Sequence, residues 1–141
     1  LLLGADLVKS PGLLHAAYND SEGITAKFNL NLLTVINREL RGDFDLEKFV
    51  HHAIYNPVES QIEMYLVCIQ SQEVHLENIN ERVGFKAGDC ILTEVSRKFT
   101  RDRLVNLFSN TGFRIISHFE SHAPEFALVH VKPCYALQKN S

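Results

Sequence analysis

The spacing of apolar residues changes several times along the 141-residue chain, and each change marks an element. The chain opens on Leu1-Leu2-Leu3-Gly4-Ala5-Asp6-Leu7-Val8, an apolar run that reads as a buried strand of a parallel sheet. Parallel strands reach their neighbours through crossover helices, so the run predicts an α/β domain of which these residues are the C-terminal part. Ser10-Pro11 is a helix start, with Ser as N-cap and Pro in the first helical position, and a short helix extends to about Tyr18. Beyond Asn19-Asp20-Ser21, the residues Ile24, Phe28, Leu32, Leu33, Ile36 and Leu40 recur at three- and four-residue spacing. That spacing predicts a longer helix with one buried face, and Gly42 ends it.

The period then shortens. After a helical turn at Asp43-Phe44-Asp45, residues 51–55 and 61–69 read as strands joined through the turn-forming Asn56-Pro57 step. Shorter strands at 73–76 and 82–86 follow, with Ala87-Gly88-Asp89 as a turn. An antiparallel meander between helices has the character of an insertion in an α/β scaffold. Residues 90–98 form the next strand, Thr100 caps a helix carrying Leu104, Val105, Leu107 and Phe108, and Gly112 stops it. Residues 113–119 and 126–131 close as two strands around a loop containing Pro124. A strand, a helix and a closing hairpin is how the class I (Rossmann-like) methyltransferase sheet finishes, an analogy of fold that carries no function by itself. On this reading residues 1–9 are a core strand, 10–89 a helical and meander subdomain, and 90–141 the remainder of the core.

Composition narrows the partners. With 45% hydrophobic and 22% charged residues and a formal charge of −3, the chain is an ordinary globular one. It shows no Lys/Arg cluster, which argues against nucleic acid as a partner, and its apolar runs are far too short to span a membrane. The first run also lacks the basic flank and cleavage site of a signal peptide. Cys68, Cys90 and Cys134 are odd in number and form no CxxC pair, which fits a reducing, cytoplasmic setting. The histidines suggest no metal site: His51 and His52 are adjacent in a strand and face opposite ways, and His118 and His122 lie in a strand-like pattern. Arg41-Gly42-Asp43 is accounted for as a helix stop leading to the cap at Asp45. No GxGxxG, Walker A loop or GxSxG elbow is present.

The unusual stretch is Ile91-Leu92-Thr93-Glu94-Val95-Ser96. Alternation places Leu92, Glu94 and Ser96 on one strand face, so an apolar start gives way to a carboxylate and a hydroxyl. At the end of a strand in an open α/β sheet such a pair points into the ligand crevice; the alternative is an ion pair of Glu94 with Arg97 or Lys98. Met64 shares a face with Ile62 and Leu66 and reads from pattern as core filler. Tyr18 ends a helix, where a phenol either caps the core edge or meets a ligand.

Several strings together resemble a known family: residues 1–9, Ala17-Tyr18-Asn19-Asp20, Gly23-Ile24-Thr25-Ala26, Ile36-Asn37-Arg38-Glu39-Leu40, Ile62-Glu63-Met64 and Leu92-Thr93-Glu94-Val95-Ser96-Arg97-Lys98-Phe99. They are similar to the C-terminal half of the histidine N-alpha-methyltransferases of ergothioneine biosynthesis. The resemblance implies transfer of three methyl groups from S-adenosyl-L-methionine to the alpha-amine of L-histidine, giving hercynine. It implies that Glu94 and Ser96 hydrogen-bond the imidazole, Met64 lines its pocket and Tyr18 holds the substrate carboxylate. It places the cofactor site upstream of residue 1, so these residues alone are expected to be inactive. An unpaired sheet edge at the opening strand is expected to promote self-association. Two other readings stay open at this point, a methyltransferase acting on another amino-acid amine and a degenerate, non-catalytic binding module of the same fold.

Overall fold

The computed structural model of the chain describes residues 1–123 and 125–134; Pro124, expected in the closing loop, lies outside them. In chain order the elements are β1 (Leu2–Asp6), α1 (Pro11–Tyr18), α2 (Ile24–Leu40), β2 (Phe49–Asn56), β3 (Gln61–Cys68), β4 (Gln72–Leu76), β5 (Glu81–Phe85), β6 (Cys90–Arg97), α3 (Arg101–Asn110), β7 (Phe113–His122) and β8 (Glu125–Pro133). They fall into two compact units, Leu1–Lys9 with Arg97–Ser141, and Ser10–Ser96. None of the described helices is long and apolar enough to cross a membrane.

In the first unit the strand order is β1-β8-β7. β7 and β8 form the expected antiparallel hairpin, from Phe113↔Pro133 to His122↔Glu125. β1 departs from expectation: it runs antiparallel to β8, from Leu2↔His130 to Asp6↔Phe126, and only a lone bridge from Leu7 to Phe99 is parallel. An apolar run shows that a strand is partly covered but says nothing about the direction of its neighbour, and here the returning strand of the hairpin takes that place. Leu1 and Leu2 are exposed, and the residue of β1 that is buried is Ala5. A Cβ on Gly4 would lie 2.8 Å from the tip of the Phe126 ring, so a larger residue there would have to displace that half-exposed ring. Thr100 caps α3 by accepting from the Arg103 amide at 3.2 Å, and Leu104 and Phe108, four residues apart, pack on Ala5, Ala127, Val129 and Val131. The buried Lys98 ammonium pairs with Asp6 at 2.9 Å, and Lys9 reaches the same carboxylate at 2.7 Å. Burial would raise the Asp6 pKa; hydrogen bonds and charge from the two lysines outweigh it and hold the carboxyl below its usual range.

The second unit packs α1 and α2 on a sheet of order β2-β3-β6, with β4 and β5 as a separate two-stranded ladder. The expected single meander is therefore two pieces. The strand at Cys90 belongs with β3 rather than with the closing elements, and the unit boundary falls after Ser96, not before Cys90. The loop before β6 explains this: the Gly88 amide donates to the Cys68 carbonyl at 2.8 Å and the Cys68 amide to the Asp89 carbonyl at 2.8 Å, returning the chain beside β3.

Local chemistry sets the helices of this unit. Ser10 caps α1, accepting from the Leu13 amide at 3.4 Å. Asp20 caps α2, accepting from the Ile24 amide at 2.7 Å and the Thr25 amide at 2.8 Å, and bonds to Thr25 and Ile24 lower its pKa to about 2. At the other end Arg41 takes the left-handed conformation (φ 49°), while Gly42 is needed for space: a Cβ there would lie 2.9 Å from both Asn37 Oδ1 and Leu76 Cδ2. Of the expected buried face of α2, Leu33 is in the core and Ile36 packs beside it, but the face is turned at the start of the helix. Asn29 and Leu33 are buried, whereas Ile24 and Phe28 are more than 60% exposed. α2 carries two neighbouring apolar stripes, and the sheet takes the one that contains Asn29.

Candidate functional site

β2 and β3 pair in register from Phe49↔Cys68 to Asn56↔Gln61, which puts Ala53 opposite Met64 and His51 opposite Leu66 on the inner face. Met64 is buried at 2% exposure and packs with Leu14, Ala53 and Ile62, and Tyr18 and Tyr55 lie against this cluster. From there the Tyr18 hydroxyl lies 2.8 Å from Ser96 Oγ, a hydrogen bond between residues 78 apart in the chain. Three of the four candidates, Tyr18, Met64 and Ser96, are thus brought together from α1, β3 and β6.

Glu94 lies two residues before Ser96 on β6 and so shares its strand face. It is exposed and lines an open cleft of about 250 Å3 with Phe28, Leu32, Val35 and Thr93. The exposed stripe of α2 is therefore the apolar wall of that cleft. Among the described residues no ion pair holds Glu94; Lys98, one of its expected partners, is engaged with Asp6. Thr93 donates through its hydroxyl to the Met64 carbonyl at 3.0 Å and ties the two strands at the level of the cluster. Larger hollows lie elsewhere, one of about 540 Å3 beside Arg101, Phe108, Arg114 and His118, but none of the four candidates lines it.

Two residues not anticipated as site residues hold Tyr18. His51 Nε2 lies 2.8 Å from the Tyr18 carbonyl oxygen, and His51 Nδ1 lies 2.9 Å from Asn29 Nδ2. The next residue, Asn19, bonds both the amide and the carbonyl of Ala53, at 3.2 and 3.0 Å, so the end of α1 is pinned to β2. The available signal was Asn29 itself, a polar side chain in register with Leu33, Ile36 and Leu40, since a buried amide requires partners.

No set of three His, Cys, Asp or Glu among the described residues could hold a metal ion.

Against known families, residues 1–133 match the profile of the histidine-specific, S-adenosylmethionine-dependent methyltransferases. The chain belongs to that family. It is 44% identical over 128 residues to the histidine N-alpha-methyltransferase of Mycolicibacterium smegmatis and 43% identical to that of Mycobacterium tuberculosis. Each match covers 91% of this chain and 40% of the relative, so the chain spans well under half the length of the family members it matches. Within this chain, Tyr18, Met64, Glu94 and Ser96 all lie in the unit Ser10–Ser96, and the sheet β1-β8-β7 belongs to the other unit.

Proposed function

We propose that these residues are the histidine-side portion of an enzyme that methylates the alpha-amine of L-histidine with S-adenosyl-L-methionine, giving hercynine for ergothioneine biosynthesis in the cytoplasm. The observation that carries the reading is the Tyr18–Ser96 hydrogen bond, with Glu94 on the same strand face at the mouth of an open cleft. A neutral imidazole presents one N–H and one bare nitrogen. The Glu94 carboxylate accepts the first and the Ser96 hydroxyl donates to the second. As histidine binds, the Tyr18 hydroxyl turns from Ser96 to donate a hydrogen bond to the substrate carboxylate, keeping its proton, and the Ser96 hydroxyl turns to the ring. Met64, buried beneath Tyr18, supports the site from below. An amino acid without a hydrogen-bonding side chain would leave Glu94 and Ser96 unpaired, which is the strongest form of discrimination available to a binding site.

The cofactor supplies a methyl group from its sulfonium when bound at its own site. We place that site in the remainder of the protein, and we read β1-β8-β7 as the last strands of a class I methyltransferase sheet. What supports the latter is a reversed strand, β8, lying between two strands that run parallel to each other. Ser10–Ser96 is then the substrate-binding subdomain. In the full-length protein, Glu94→Ala should remove one charge-assisted hydrogen bond worth roughly 1.5–3 kcal/mol. At about 1.4 kcal/mol per decade, that is about 10- to 150-fold in histidine affinity. Calorimetric titration should show S-adenosylmethionine affinity unchanged; equal losses for both ligands would sink the assignment.

A further inference from the structure

We infer that His51 and Asn29 form a positioning pair that holds Tyr18 for substrate, and that His51 works only as the neutral tautomer protonated at Nε2. The inference rests on the histidine-binding role proposed for Tyr18. Its physical basis is a chain of bonds in which the direction of each donor is forced. The Tyr18 carbonyl oxygen can only accept, so the hydrogen of the 2.8 Å contact belongs to His51 Nε2. At the other side of the ring, Asn29 Nδ2 also donates to the Tyr65 carbonyl at 3.1 Å, so the amide nitrogen, not its oxygen, faces both partners. One of its hydrogens goes to Tyr65 and the other to His51 Nδ1, which must offer a lone pair. Turning the Asn29 amide over would set its oxygen against the Tyr65 carbonyl.

Asn29 is 3% exposed, so its amide must be satisfied inside the protein. The pair joins α2 and β3 to the last residue of α1 through β2, and Tyr18 carries this placement from its carbonyl to its hydroxyl, 2.8 Å from Ser96. Asn19 clamps the same turn to Ala53 but does not touch Tyr18's carbonyl. His51 therefore sets where the phenol sits without touching the substrate. It is not a metal ligand or a proton donor in the reaction.

The test is a double-mutant cycle in the full-length protein, combining His51→Leu with Tyr18→Phe. His51→Leu alone should lower kcat/KM for histidine by about 10- to 100-fold, the loss expected when a binding group shifts by a fraction of an ångström to an ångström. S-adenosylmethionine affinity should not change. With Tyr18→Phe already present, His51→Leu should cost less than about threefold more, because its effect is exerted through the missing hydroxyl. His51→Gln, whose amide supplies one donor and one acceptor, should restore most of the kcat/KM. Additive losses, equal loss of cofactor affinity, or no rescue by glutamine would each overturn the inference. If His51→Leu does not fold, Asn29→Ala in the same cycle decides, with non-additivity again expected and additivity fatal. If Tyr18→Phe alone leaves histidine binding unchanged, it is the role of Tyr18 that fails, and the two failures are told apart.

Discussion

Met64 offers a clear separation between supporting the site and touching the substrate. Its side chain is 2% exposed among Leu14, Ala53 and Ile62, on the central strand of β2-β3-β6. Burying a methionine is worth about 1.5–3 kcal/mol in transfer free energy. Truncation to alanine adds a cavity penalty, since neighbours held by a sheet collapse only in part, bringing the expected loss for Met64→Ala to roughly 2–5 kcal/mol. Against a total stability of about 5–15 kcal/mol this is large. Met64→Leu conserves volume and should cost less than about 1.5 kcal/mol. Urea denaturation of the full-length variants measures both, and histidine titration at low urea measures the consequence for the site. The alanine variant should lose stability first and histidine affinity second, through a loosened Tyr18, while the leucine variant keeps both. An alanine variant with an unchanged urea midpoint and weakened histidine binding would refute the reasoning, and would mean that Met64 lines the ligand pocket directly.

Two further outcomes follow. Asp20 caps α2 as a carboxylate with its pKa lowered to about 2, below the ordinary 3.8, so its contribution is complete above the higher value and is lost as pH falls towards the lower one. The difference in unfolding midpoint between the parent protein and Asp20→Ala should be constant above about pH 5 and shrink towards zero near pH 2; a difference that persists at pH 2 would show that the cap does not act through its charge. The 141-residue chain made alone should not methylate histidine and should self-associate through β1, whose sheet has β1 at one end and whose Leu1 and Leu2 are exposed; turnover by this chain, or a monomer in sedimentation analysis, would contradict one or other half of that expectation.

What could be read in advance divides by the range of the interaction that decides it. Helix starts were legible because the deciding contacts are local: Ser10 and Thr100 each reach an amide three residues on. The shared face of Glu94 and Ser96 was legible for the same reason, since strand alternation needs no knowledge of neighbours. The direction of β1's partner was not, because it depends on a hairpin that begins more than a hundred residues later. Nor was the partner of Ser96: nothing in the spacing of Tyr18 and Ser96 brings two hydroxyls to 2.8 Å. α2 is the instructive intermediate. Phe28, Leu32 and Val35 form one stripe and Asn29, Leu33 and Ile36 the adjacent one, and hydrophobicity alone favours the stripe without the asparagine. The structure buries the other, because Asn29 finds Tyr65 and His51 there, and this leaves the more apolar stripe facing the cleft beside Glu94. A polar residue within a buried stripe and an apolar stripe left in the open are two signs of one cause: the Asn29 amide has its hydrogen-bond partners on the sheet side, and the helix is turned to reach them.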